Sequence, residues 1–235
     1  ARTIIRLSQD ALDKARQLAD SSETTVRIGT SLLYKCRLLP DLWTQVSEKY
    51  PELKIEILPM TEYQNRGEVF SALGIHFDLF EGIYGSAGWN GLCQFLELDR
   101  TPICCAVAKN HRLTGMKILT MQDLNGEYLV MPIEGVSKEM DAFRTHIKNN
   151  YPTIQIVDSK RYDLDTFTLC EMNEYILITQ PVYTDIHNNL VTLSLETNYT
   201  LPYGLMYANN PTSATKKFIE AIKNMETTLF EHRKK

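Results

Sequence analysis

The sequence predicts an α/β protein of two Rossmann-like lobes joined by crossing strands. Three observations lead there: a strand–helix–strand pattern over residues 25–84, a second cycle of the same kind over residues 128–179, and a last amphipathic helix that can return to the first lobe. In such open sheets ligands bind in the crevice at the carboxyl ends of the strands.

The elements follow in order. Residues 1–20 read as a helix in which Ile4, Ala11 and Leu18 lie seven apart, as do Ile5, Leu12 and Ala19. That register suits a seam against a partner helix, or equally a face packed on its own domain. Asp20-Ser21-Ser22-Glu23 breaks the pattern as a short linker. Val26 and Ile28 share one face of a strand that stops at Gly29-Thr30-Ser31, residues suited to a tight turn and a helix N-cap. Leu38, Leu42, Val46 and Tyr50 recur every four residues, with Leu33 and Leu39 alongside, so the spacing predicts a helix over Leu32–Tyr50, closed by Pro51. Leu53–Met60 reads as the returning parallel strand, a second helix follows, and Phe77–Tyr84 is the next strand. The loop Gly85-Ser86-Ala87-Gly88-Trp89-Asn90-Gly91 is glycine-rich, but the segment after it, Leu92–Leu98, reads as a strand, which makes it a connection and not a phosphate cradle.

Thr101–Lys109 is a largely apolar strand. Tyr128–Ile133 is another, and Glu134-Gly135-Val136-Ser137 turns into a helix marked by Met140, Phe143 and Ile147. Ile154 and Ile156 form a strand, Asp163 caps a helix over Leu164–Met172, and Tyr175–Thr179 is a buried strand. Strands at Val191–Leu195 and Thr200–Tyr207 precede the last helix, whose apolar face holds Phe218, Ile222, Met225 and Leu229. The crossings are expected near Thr101–Ala106 and Leu201–Met206.

The 235 residues, 43% of them hydrophobic, suffice for a sizeable core. A formal net charge of −4 argues against a nucleic-acid surface within the chain, so any DNA contact has to come from elsewhere. Five cysteines, odd in number and without C-x-x-C spacing, read as reduced structural thiols of a cytoplasmic protein. No apolar run approaches the roughly 20 residues of a membrane span.

Enzyme signatures are missing: there is no H-E-x-x-H, G-x-S-x-G or Walker loop, and His76, His111, His146, His187 and His232 never fall at helical ligand spacing. His111 reads as a turn residue. Asp163, Asp165, Glu171 and Glu174 read as a helix cap plus a solvated face. The expectation is therefore binding without catalysis, metal or cofactor.

Several segments resemble the effector-binding domain of LysR-type transcriptional regulators. They are Val26-Arg27-Ile28-Gly29-Thr30-Ser31, Leu38-Leu39-Pro40-Asp41-Leu42 leading to Lys49-Tyr50-Pro51-Glu52-Leu53-Lys54-Ile55, Phe77-Asp78-Leu79, Ala108-Lys109-Asn110-His111-Arg112-Leu113 and Met121-Gln122-Asp123-Leu124-Asn125-Gly126. The resemblance implies a type 2 periplasmic-binding-protein-like fold, with a linker and dimerisation helix at 1–23, lobe I at 24–100 plus 207–235, and lobe II at 101–206. It implies a homodimer or tetramer, a small-molecule effector, no membrane, and DNA reached only through an N-terminal winged helix-turn-helix outside this chain. The chain departs from the family at Cys170-Glu171-Met172-Asn173-Glu174-Tyr175, where relatives carry a small-Gly-x-Gly step. A solute-binding protein of a transporter is the alternative reading of the same lobes.

By fold analogy, two helix N-termini meet the effector: Thr30 and Ser31 in the first lobe, Gly135, Val136 and Ser137 in the second. Free N–H groups and the helix dipoles there favour an anionic group. Tyr84 and Tyr162, each placed after a strand, complete the expected site as aromatic walls.

Overall fold

The computed structural model describes residues 23–61, 63, 65–85 and 89–233, with side chains for all of these but 66 and 226–233. The expected helix over 1–20, its heptad spacing, residues 86–88 of the glycine-rich loop and the Leu229 side chain lie outside them.

In chain order the elements are β1 (Thr25–Thr30), α1 (Leu39–Lys49), β2 (Lys54–Pro59), α2 (Arg66–Ala72), β3 (Leu79–Ile83), β4 (Gln94–Pro102), β5 (Cys104–Ala108) and β6 (Ile118–Leu119). There follow β7 (Tyr128–Pro132), α3 (Lys138–Asn150), β8 (Gln155–Ser159), α4 (Leu164–Asn173), β9 (Ile176–Thr179), β10 (Leu190–Leu195), β11 (Thr200–Tyr207) and α5 (Ser213–Arg233). They build a five-stranded sheet, β2-β1-β3-β11-β4, and a six-stranded sheet, β6-β10-β5-β9-β7-β8. The run expected as one strand over Thr101–Lys109 is divided: β4 extends to Pro102 in the first sheet, and after Ile103 the chain continues as β5 in the second. It returns between β10 and β11, before the Leu201–Met206 segment expected to cross.

The chain divides into two compact units, one of residues 1–30, 36–81 and 207–235, the other of residues 31–35 and 82–206. In the first unit β1 lies parallel between β2 and β3, with Val26 opposite Ile55 and Ile28 opposite both Ile57 and Leu79. Val26, Leu79, Phe80 and Phe218 have no exposed surface, and burying side chains of this size contributes roughly 1.5–3 kcal/mol each. Phe80 meets Phe70 and Phe77 at ring distances of 6.1 and 6.0 Å. Arg27 latches β1 to the start of β3: its Nη2 lies 2.7 Å from Asp78 Oδ1, and its backbone N–H donates to Asp78 Oδ2 at 2.8 Å.

In the second unit β5 is buried at all five positions, antiparallel to β10 on one side and β9 on the other. A continuous apolar run is what a central strand covered on both faces requires. α3 lays Met140, Phe143 and Ile147 into the same core. Buried Arg144 ties α3 to the strand ends, donating to the Pro132 carbonyl and pairing with Asp158 Oδ1 at 2.7 Å. Asp163 caps α4 as expected, accepting from the Thr166 N–H at 3.0 Å. α4 ends with Glu174 at φ +55°, the left-handed position that glycine usually fills, so the departure noted in the sequence is a non-glycine C-cap.

Candidate functional site

The segment after β1 is a turn and not the first turn of a helix. The expected helix over Leu32–Tyr50 begins only at Leu39, so Thr30 and Ser31 do not open it. Ser31 closes the turn: its N–H donates to the Tyr34 carbonyl at 3.1 Å, and its Oγ accepts from the Leu33 and Tyr34 N–H groups at 3.3 and 3.2 Å. The apolar side chain that gave the helical reading is used elsewhere, because Leu33 packs against the cluster of Ala106, Phe167, Leu177 and Tyr183 in the second unit. The Tyr34 ring lies over Gly82, where an added Cβ would sit 3.1 Å from its Cδ1. Glycine at 82 lets the ring approach the strand.

The donors at the start of α1 are occupied from within. Leu38, in the cap position, offers no side-chain acceptor, and Glu81 of β3 supplies one. Its Oε1 accepts from the Arg37 and Leu38 N–H groups at 3.0 and 2.8 Å, and its Oε2 from those of Leu38 and Leu39 at 3.1 and 3.0 Å. Thr30, at the end of β1, belongs to the first unit, and its carbonyl accepts from Met60 N–H at 2.8 Å.

The turn between β7 and α3 keeps the expected form. Gly135 adopts φ +88°, which favours glycine, and its N–H donates to both carboxylate oxygens of Asp141 at 3.1 Å. Ser137 is the N-cap: its Oγ accepts from Met140 N–H at 3.4 Å and donates to Glu139 Oε2 at 2.9 Å. The Val136 and Ser137 amides find no acceptor among the described residues. Gly85 packs against this turn so closely that a Cβ there would lie 3.0 Å from the Val136 carbonyl oxygen and 3.0 Å from the Trp89 ring. Tyr84, one residue earlier, stacks on Phe95 at 4.3 Å and meets Trp89 edge-on at 5.5 Å. Burial, and then the nearby Cys93, push its phenol above the ordinary value.

Tyr162 is placed by its neighbours. Its hydroxyl shares a hydrogen bond of 2.6 Å with Thr179 Oγ1, and its ring lies 5.3 Å from Phe167 and 5.1 Å from Tyr183. Burial pushes the Tyr162 and Tyr183 phenols well up, with Tyr34 adding to the effect on Tyr183, so both hydroxyls stay protonated.

The second unit thus brings together Tyr84, Gly85 and Val136 at one place, and Leu33, Tyr162, Phe167 and Tyr183 at another. Sequence reasoning missed Glu81, Tyr34, Thr179 and Tyr183, since none stands in a motif. It also missed an open depression of about 320 Å³ beside the start of α3, lined by Arg100, Lys138, Glu139, Ala142 and Asn198–Thr200. His111 lies in a turn, as expected: its N–H donates to the Ala108 carbonyl at 2.9 Å, its Nδ1 accepts from Leu113 N–H at 3.3 Å and its Nε2 lies 3.4 Å from Glu127. Among the described residues no cluster of His, Cys, Asp and Glu could hold a metal ion, and no helix is long and apolar enough to cross a membrane.

Neither a family model nor a curated protein matches the sequence. Solved structures do match the fold. The effector-binding domain of QuiR in complex with shikimate gives a TM-score of 0.57 at 18% identity, over 85% of this chain and 95% of that one. The BenM effector-binding domain with its effector benzoate gives 0.55 at 20% identity, over 88% and 93%. A putative L-cystine ABC transporter from Listeria monocytogenes gives 0.52 at 14% identity, over 86% and 90%. The chain therefore has the type 2 periplasmic-binding-protein-like fold of LysR effector-binding domains.

Proposed function

We propose that this chain is the ligand-sensing part of a LysR-type transcriptional regulator that binds a small anionic metabolite. The observation that carries the reading is the β7–α3 turn, where the Val136 and Ser137 amides find no acceptor among the described residues at the positive end of a 13-residue helix. Asp141 and Glu139 already engage Gly135 N–H and the Ser137 hydroxyl, so the turn suits one anionic group and no more. Benzoate and shikimate, bound by two proteins of this fold, are each a ring bearing one carboxylate. The proposed contacts within the second unit are Ser31, Tyr84, Gly135, Val136, Ser137 and Tyr162, with the tyrosines packing on the ring.

In this reading residues 1–23 are the linker helix, 24–100 with 207–235 the first lobe, and 101–206 the second. The protein is a cytoplasmic non-enzyme that reaches DNA through an N-terminal winged helix-turn-helix. Effector binding shifts the balance between two states of a homodimer. Pairing through α1 and the edge strand β2 is supported by Ile57, 56% exposed on that edge. A transporter's solute-binding protein is the second reading, favoured by the match to the Listeria protein.

Native mass spectrometry of protein purified from its source tests the proposal: a retained small carboxylate is expected, and the genomic sequence upstream of Ala1 separates the readings. A helix-turn-helix there supports the regulator, whereas a signal peptide overturns it in favour of transport.

A further inference from the structure

The start of α1 is another place among the described residues where backbone donors gather at the positive end of a long helix. α1 has 11 residues, and Leu38 in its cap position provides no side-chain acceptor. The anion in that seat is Glu81, from the middle of a strand whose neighbours Leu79 and Phe80 are wholly buried. Glu81 itself has no exposed surface. Burying a charge there is costly unless hydrogen bonds replace its water, and three successive amides do so through four contacts of 2.8–3.1 Å. Its charge is felt next door, where burial and then Glu81 hold the Cys36 thiol up at about 11.

We propose that Glu81 is the resident anion of the α1 N-terminus, a specificity determinant that keeps any ligand carboxylate out of the Arg37, Leu38 and Leu39 amides. An effector of this protein is then recognised without an anionic group on α1, and its single carboxylate goes to the β7–α3 turn. This last step rests on the function proposed above, whereas the occupancy of α1 does not.

Acetate, the side chain of Glu81 cut free, is the probe. Glu81→Ala should melt below the wild type and recover in acetate, by roughly 3–6 °C at about ten times the dissociation constant, relative to chloride at equal ionic strength. Wild type and Glu81→Gln, whose seats are filled, should show no such difference. Equal stabilisation of wild type and Glu81→Ala, or a folded Glu81→Ala indifferent to acetate, would overturn the proposal. Should Glu81→Ala not fold, amide NMR of the wild type decides. Leu38 and Leu39 resonances unmoved by acetate support a filled seat, and saturable shifts at both refute it. No effector is needed, so the outcome stands apart from that of the proposed function.

Discussion

Gly204→Ala should be among the most damaging single-methyl additions this chain can suffer. Gly204 lies in β11, and a Cβ there would sit 2.0 Å from the Leu96 carbonyl oxygen and 3.0 Å from both Leu96 C and Leu98 N. These are backbone atoms of β4, the neighbouring strand, so no side chain can swing aside. Ordinary non-bonded contacts need roughly 3.5 Å, so the strands must part by about 1.5 Å at that point, enough to break adjacent ladder bonds. Two lost hydrogen bonds at about 0.5–1.5 kcal/mol each and overpacking strain of about 1–3 kcal/mol sum to roughly 2–6 kcal/mol. Against a total stability of about 5–15 kcal/mol, this lowers the melting temperature by roughly 5–20 °C. Thermal melts followed by circular dichroism measure it, with Gly115→Ala as the control, because a Cβ at 115 meets nothing within 4 Å. A Gly204→Ala protein melting within about 2 °C of wild type would refute the close approach of β4 and β11.

The remaining expectations concern pH, thiols and a cap. Asp123 forms a capping box with Thr120, whose backbone N–H and then side-chain hydroxyl, at 2.7 and 2.8 Å, hold its carboxyl below the ordinary 3.8. A depressed carboxyl stabilises the fold above its unfolded value and loses that contribution as pH falls through the folded one. The melting difference between wild type and Asp123→Ala should therefore be full at neutral pH and shrink only below 3.8; a difference that disappears nearer neutrality contradicts the box. Burial holds Cys36 and Cys93 at about 11 against an ordinary 9.0, leaving each with about a hundredfold less thiolate, and holds Cys170 at about 12. Iodoacetamide at neutral pH should label the native protein slowly and all five thiols rapidly in urea, while fast native labelling would show an accessible thiolate. Glu174→Gly should raise the melting temperature by up to about 4 °C, since relief of the left-handed strain outweighs the exposed bond from Asn110 Nδ2 to Glu174 Oε1 at 3.0 Å. A lower melting temperature would mean that the side-chain bond dominates.

How much was legible depends on whether the deciding contact is local. The β1–β2 pairing, the Ser137 and Asp163 caps and the burial of Phe143 and Ile147 follow from alternation, capping chemistry and a 3.6-residue period, all read within a few residues. The start of α1 was misread because Leu33 extends the periodic stripe, whereas its partners in the second unit begin more than 70 positions away, at Ala106. Glu81, which caps the helix, lies 42 residues beyond Leu39 in sequence and looks like an interruption in an apolar strand. The division at Ile103 was hidden for the opposite reason: residues 102–108 are uniformly apolar, and two strands entering different sheets leave no polar residue to mark their join. At the candidate site, glycine and serine at the β7–α3 turn announced a strand–helix junction. Nothing in the string announced that Asp141 would take the Gly135 amide, or that those of Val136 and Ser137 would find no acceptor among the described residues.

The most direct test of the central claim is amide NMR of the ¹⁵N-labelled protein titrated with the carboxylate recovered from it. The account predicts saturable shifts of Val136 and Ser137, both of which lack an internal acceptor among the described residues, while Leu38 and Leu39, held by Glu81, stay in place. Saturable binding that leaves Val136 and Ser137 unmoved would contradict it.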